Sequence, residues 1–292
     1  MNNKYTAHAA LLLVNLLYGI NFLVAKEVMP AYIGPSAFIF IRVSCTLVLF
    51  VLLYLAVSRE RIERADIPRF MLCALTGVAV NQLLFYEGLN HTTPINAAVI
   101  FTSNPILTLL VSALILREKL TPRKTAGILI GAVGAVALII LSRGGLSFDA
   151  DTRLGNLYII INALSYAVYL VMAKPLMKKY KPITVITLNF FMGWFIVMPF
   201  GYGQFTEIRW ETFTPFVWGA LAFTVVGVTF VAYLFSIFAL KRLTPSQVSI
   251  YVYVQPVTAA LLAIFLGKDA LTPELLVCSA LIFLGVGLVI RE

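Results

Sequence analysis

Charge is scarce in this chain: 12% of its 292 residues are Asp, Glu, Lys or Arg, and 61% are hydrophobic. With a mean hydropathy of +0.94, it has too little polar side chain to keep a soluble surface wet, which points to an integral membrane protein. Histidine is scarcer still. His8 and His91 lie far apart, outside any ligand-spaced cluster, and neither a Walker loop nor a dinucleotide fingerprint is present. No metal, nucleotide or cofactor is therefore expected, and ATP-driven transport within the chain is disfavoured. The three cysteines, Cys45, Cys73 and Cys278, sit in apolar stretches without paired spacing and read as small packing residues. No cluster of acid, base and nucleophile shares one depth, so the chain is not expected to be an enzyme.

What is present in abundance is apolar sequence in runs of roughly 20 residues, the length that spans a bilayer as helix. Ten such spans are expected, at 6–25, 36–57, 68–88, 93–115, 122–142, 153–174, 182–201, 214–239, 244–266 and 272–290. Asn15 and Tyr18 interrupt the first run and no small-residue cleavage site follows it, so it is expected to stay as a helix rather than be removed as a signal peptide. The net charge of +9 would suggest nucleic acid in a soluble domain, but the basic residues fall mostly in alternate connections. With the N-terminus inside, 16 of the 22 lie on the cytoplasmic side, five on the outer side, and Arg42 alone within a span. The positive-inside rule then places both termini in the cytoplasm. A multi-pass protein of the bacterial inner membrane is expected, with membrane lipid and a small solute as partners and no nucleic acid.

The chain also repeats itself. Thr93-Pro94, Asn96, Pro105, Glu118 and Thr121-Pro122 recur 151 residues later as Thr244-Pro245, Gln247, Pro256, Asp269 and Thr272-Pro273. Two units are expected, 1–145 and 150–292, joined by the glycine-rich polar connection between Arg143 and Arg153. Five spans per unit is an odd number, so the second unit must be inverted relative to the first, an arrangement typical of transporters. The Thr-Pro pairs predict helix starts, with Thr as cap and Pro in the first turn. Pro105 and Pro256 fall in mid-span and free the carbonyls of Phe101 and Val252, which predicts matched kinks and a gating role, with simple packing as the alternative. Gly127, Gly131, Gly134, Gly285 and Gly287 predict close helix approach, within the chain or across a homodimer.

Polar side chains inside spans are costly unless they face partners or water, so they mark a cavity. Asn96 and Asn104 on the fourth span, with Gln247, Tyr251 and Gln255 on the ninth, form one polar stripe per unit. Asn15 and Tyr18 on the first span, and Ser165, Tyr166 and Tyr169 on the sixth, offer further polar and aromatic faces. Gln82 and Tyr86 on the third and Tyr233 on the eighth complete the substrate-binding candidates. For each amide the alternative is interhelical hydrogen bonding, and for each tyrosine interfacial anchoring. A cavity of Tyr, Phe, Asn and Gln suits a small neutral or zwitterionic solute with an apolar portion. Arg42 and Glu87 are candidates for an ion pair holding the second and third spans together, or, for Glu87, for a proton-coupling site.

The run Leu114-Ile-Leu-Arg-Glu118-Lys-Leu-Thr-Pro122 and its second copy, Phe265-Leu-Gly-Lys-Asp269-Ala-Leu-Thr-Pro273, resemble the repeat signature of EamA-type proteins of the drug/metabolite transporter superfamily. The first-span run Asn15-Leu-Leu-Tyr18-Gly19 and the Ile41-Arg42 pair match that pattern too, so the resemblance covers nearly the whole chain. It implies an all-α membrane fold of ten helices in a five-plus-five inverted repeat, with a central cavity between helices 1, 3, 4, 6, 8 and 9. It further implies a secondary carrier, often an exporter of amino acids or other metabolites. Relatives that carry phosphorylated or nucleotide sugars use basic cavity residues, and helices 4 and 9 here have none. Asp269 stands where the first copy has Glu118 and is expected to be structural. The competing readings are a multidrug efflux carrier, an importer, and, from another class, a non-transport membrane protein or an intramembrane enzyme.

Overall fold

The computed structural model describes residues 2–58, 60–92, 94–143, 152–265 and 272–291. Among them there is no β-strand, and the helices group into ten rods. In the first half these are α1 (Asn2–Val28), α2 (Pro35–Val57), α3 (Ile67–Ala74, Leu75–Ala79 and Val80–His91), α4 (Pro94–Phe101 and Asn104–Leu116) and α5 (Pro122–Arg143). The second half has α6 (Arg153–Lys179), α7 (Pro182–Thr206), α8 (Pro215–Phe223, Thr224–Val231 and Ala232–Arg242), α9 (Pro245–Ser249, Ile250–Tyr253 and Val254–Phe265) and α10 (Pro273–Ile290). Among the described residues, eight rods, α2 to α8 and α10, are long and apolar enough to cross a membrane by length and composition. Large apolar side chains such as Leu52, Leu114, Val133 and Phe200 are exposed on the outside of the bundle, as a lipid-facing surface requires.

Local sequence sets the rod ends. Thr214, Thr244 and Thr272 each accept a bond from the backbone N–H three residues on, at 3.3 Å, with proline at the next position. Thr121 caps Lys124 in the same way. Thr93 lies outside the described residues, although Pro94 begins α4 as expected. Glu118 turns back after the left-handed Arg117, accepting from Ser112 Oγ and pairing with Lys124 Nζ at 3.0 Å. The acid of the repeated signature therefore ties the end of α4 to the start of α5. Its second-copy counterpart, Asp269, and the connection 144–151 lie outside the described residues.

Both repeats break their rods at matching places. The π-helical turns Leu75–Ala79 and Thr224–Val231 occupy equivalent positions in α3 and α8. The fourth rod is interrupted at Thr102 and Ser103 just before Pro105, and the ninth passes through a 3-10 turn, Ile250–Tyr253, just before Pro256. The missing proline N–H and its ring prevent a continuous α-helix there, so the irregularity expected at the prolines is an interruption in α4 and a 3-10 turn in α9.

The main helix pairings are symmetric under exchange of the halves. α2 packs on its mate α7, and α5 on its mate α10; α1 packs on α8 and α9, as α6 packs on α3 and α4. The glycines make the α5–α10 contact: a Cβ on Gly127 would lie 2.8 Å from the Gly285 carbonyl oxygen, and one on Gly285 would lie 2.5 Å from that of Gly127. Gly134 likewise abuts the Cys278 backbone, whereas a Cβ on Gly287 would meet nothing within 4 Å. Four of the five glycines thus serve close approach within the chain.

Candidate functional site: a polar chamber between the repeats

A central cavity, enclosing about 790 Å³ of empty space counting the part continuous with the outside, lies among α1, α2, α3, α4, α6, α8 and α9. Asn15, Tyr18, Gln82, Tyr86, Tyr166, Tyr233 and Gln255 line it, together with Arg42. Asn15 accepts from Gln255 Nε2 at 2.8 Å while its own amide donates to the Leu11 carbonyl, which locks α1 to α9 at the chamber wall. Tyr233 donates to the Gly77 carbonyl at 3.4 Å, a group released by the π-turn of α3.

The other candidates are placed elsewhere. Asn96, near the start of α4, donates to Asn156 Oδ1 at 3.2 Å, and the same oxygen accepts from Thr92. Asn104 is fully buried and donates to the Ala163 carbonyl of α6 at 2.9 Å. Ser165 returns its hydroxyl to the Asn162 carbonyl. Gln247 completes a capping box with Thr244. The Tyr251 hydroxyl meets His8 Nδ1 at 2.8 Å, and Tyr169 packs edge-on over Gly77, where any Cβ would collide with its ring. For the stripes of α4 and α9 the interruptions before Pro105 and Pro256 explain the scatter, because a stripe at i, i+4 and i+8 needs a continuous helix to stay on one face, whereas Ser165 and Tyr169 lie on the unbroken α6.

Arg42 and Glu87 do not pair. Arg42 Nε donates to Thr229 Oγ1 at 3.1 Å and Nη1 to the Tyr86 hydroxyl, with Phe38 and Tyr86 rings 5.7 and 5.0 Å from the guanidinium carbon. Glu87 lies outside the cavity lining and accepts from Ser36 Oγ at 2.7 Å, binding α3 to the first turn of α2. Pro105 and Pro256 sit just after the rod interruptions and do not line the cavity.

Sequence reasoning passed over Asn21 and Thr229. Asn21 lines the cavity one helical turn beyond Tyr18, so its signal was present in the 3.6-residue spacing of α1. Thr229 had no such signal, because the π-turn shifts the register of α8. Leu11, Val14, Val228, Val248 and Val252 supply apolar wall.

No group of three or more His, Cys, Asp or Glu among the described residues could hold a metal. The architecture defines a multi-pass helical membrane protein with one chamber held between two similar halves. The chain belongs to the EamA-like transporter family, whose sequence model matches residues 6–140 and again 153–291. It is 24% identical to an uncharacterized transporter of Archaeoglobus fulgidus over 89% of this chain and 90% of that one. It is also 22% identical to the uncharacterized transporter YyaM of Bacillus subtilis, over 92% and 88%. A solved crystal structure with 20% identity superimposes with a TM-score of 0.79, covering 97% of this chain and 96% of the other, which shows a shared fold. The membership makes the chain a transporter of the drug/metabolite transporter superfamily.

Proposed function

We propose that the chain is a secondary carrier that moves a small organic solute, an amino acid or a similar neutral or zwitterionic metabolite, out across the bacterial cytoplasmic membrane by alternating access. The observation that carries this reading is a chamber whose wall is drawn from both repeats, with amides and phenols beside apolar side chains and with interrupted helices on both sides. Such a wall recognises a solute with both polar and apolar parts. The interruptions before Pro105 and Pro256 are the flex points, and the halves rock about the chamber.

Contacts between internal connections support an inverted arrangement of the two halves. Lys179 joins Glu63 and Asp66 at 2.9 Å each, and Lys174 donates to the Leu240 and Leu243 carbonyls, all in connections that the basic residues assign to the cytoplasm. On the opposite side, Gln204 accepts from the Ser36 and Ala37 backbone amides. Export rather than import follows from the habit of the family.

Counterflow in proteoliposomes against a panel of labelled amino acids and neutral metabolites tests the proposal. Saturable exchange, reduced at least tenfold by Tyr166→Ala and by Gln82→Ala, is the expected outcome. Absence of exchange by folded protein would overturn it.

A further inference from the structure

The chamber wall holds a buried cation with no counter-ion among the described residues. Arg42 is 3% exposed and lines the cavity, yet no carboxylate among the described residues pairs with it, and the nearest acid in sequence to its partner Tyr86, Glu87, is engaged by Ser36. Its protein contacts are a threonine hydroxyl, a tyrosine hydroxyl and two aromatic faces, all neutral. A guanidinium left in that state inside a membrane protein is costly, and an anion entering beside it removes the cost.

The neighbouring groups are oriented to donate. The Tyr86 oxygen receives hydrogen bonds from both Arg42 Nη1 and Asn21 Nδ2, so its own proton is left to donate. Thr229 accepts from Arg42 Nε and passes its proton to the Thr224 carbonyl, so Nε is held within the wall, while Nη2 makes no hydrogen bond among the described residues. Gln82, one turn before Tyr86 on the same face, is 3% exposed, lines the cavity, and has neither amide atom in a well-formed hydrogen bond. Across the chamber Asn162 Oδ1 is also unpartnered. Donors thus cluster at Arg42 and Tyr86, and free acceptors remain on Gln82 and Asn162.

We propose that Arg42 and Tyr86 form the receptor for a carboxylate carried by the transported solute, with Gln82 and Asn162 as acceptors for a donor group on the same solute. This rests on the carrier reading above and narrows its cargo to solutes with one carboxylate, such as zwitterionic amino acids. The planar fork of arginine meets both carboxylate oxygens at once, which lysine cannot reproduce.

The test compares counterflow of labelled leucine and phenylalanine with that of their carboxamides, in wild type, Arg42→Gln, Arg42→Lys and Tyr86→Phe. Wild type is expected to exchange each acid at least tenfold better than its amide. Arg42→Gln should erase that preference by lowering acid exchange at least tenfold while sparing the amide, with Arg42→Lys intermediate. A purely structural role would lower acid and amide together, and that result overturns the proposal. Equal exchange of acid and amide by wild type overturns it too while leaving a working carrier. No exchange of any compound by folded wild type overturns the carrier reading and this proposal with it. If Arg42→Gln does not fold, Tyr86→Phe decides: the acid preference should fall at least threefold, and an unchanged preference contradicts the assignment.

Discussion

Asn104 and Gln255 hold equivalent positions in the two repeats, yet they do different work. Gln255 borders the chamber and bonds Asn15, whereas Asn104 is sealed from it and donates to a backbone carbonyl of α6. Asn104→Ala should therefore act on stability, by about 1 kcal/mol for the lost bond, and leave the affinity for solute unchanged. Thermal unfolding in detergent together with the half-saturating concentration in counterflow separates the two effects. A large loss of affinity with unchanged unfolding would place Asn104 in the binding site. The chamber positions of Asn15, Tyr18, Gln82, Tyr86, Tyr166 and Tyr233 were legible because each lies on one face of a continuous helical stretch. Tyr251 and Gln247 were not legible, since a 3-10 turn and a helix start redirect them, and periodicity carries no sign of either.

Among elements, the matched interruptions matter more than the regular helix. Pro105 and Pro256 announce themselves in sequence, and the breaks they predict are present. The π-turns of α3 and α8 have no residue signature of comparable strength, although they supply the carbonyl that receives Tyr233 and the register that brings Thr229 to Arg42. The α5–α10 pair is the opposite case, legible from its glycines and built from them, with backbones too close to admit a side chain. Gly127→Val should force the two helices apart at a cost of about 1–3 kcal/mol. A fall in unfolding temperature in detergent checks this, and an unchanged temperature would mean that the contact yields without strain.

For the whole molecule, the sequence repeat reappears in the main helix pairings: α2 on α7, α5 on α10, and α1 on α8 and α9 as α6 on α3 and α4. That arrangement places the chamber on the boundary between the repeats. The class of solute was less legible, because amides and phenols accept many partners, and that Arg42 has no acidic partner among the described residues shows only once the helices are packed. The central claim is that solute passes through this chamber. Ser236 lines it and is small enough to exchange for cysteine with little disturbance. The direct measurement is counterflow by Ser236→Cys, in a background where Cys45, Cys73 and Cys278 are replaced, before and after reaction with a bulky thiol reagent. Loss of exchange on labelling, with labelling slowed by solute, is the predicted result. Fully labelled protein that exchanges at the unlabelled rate would contradict the account.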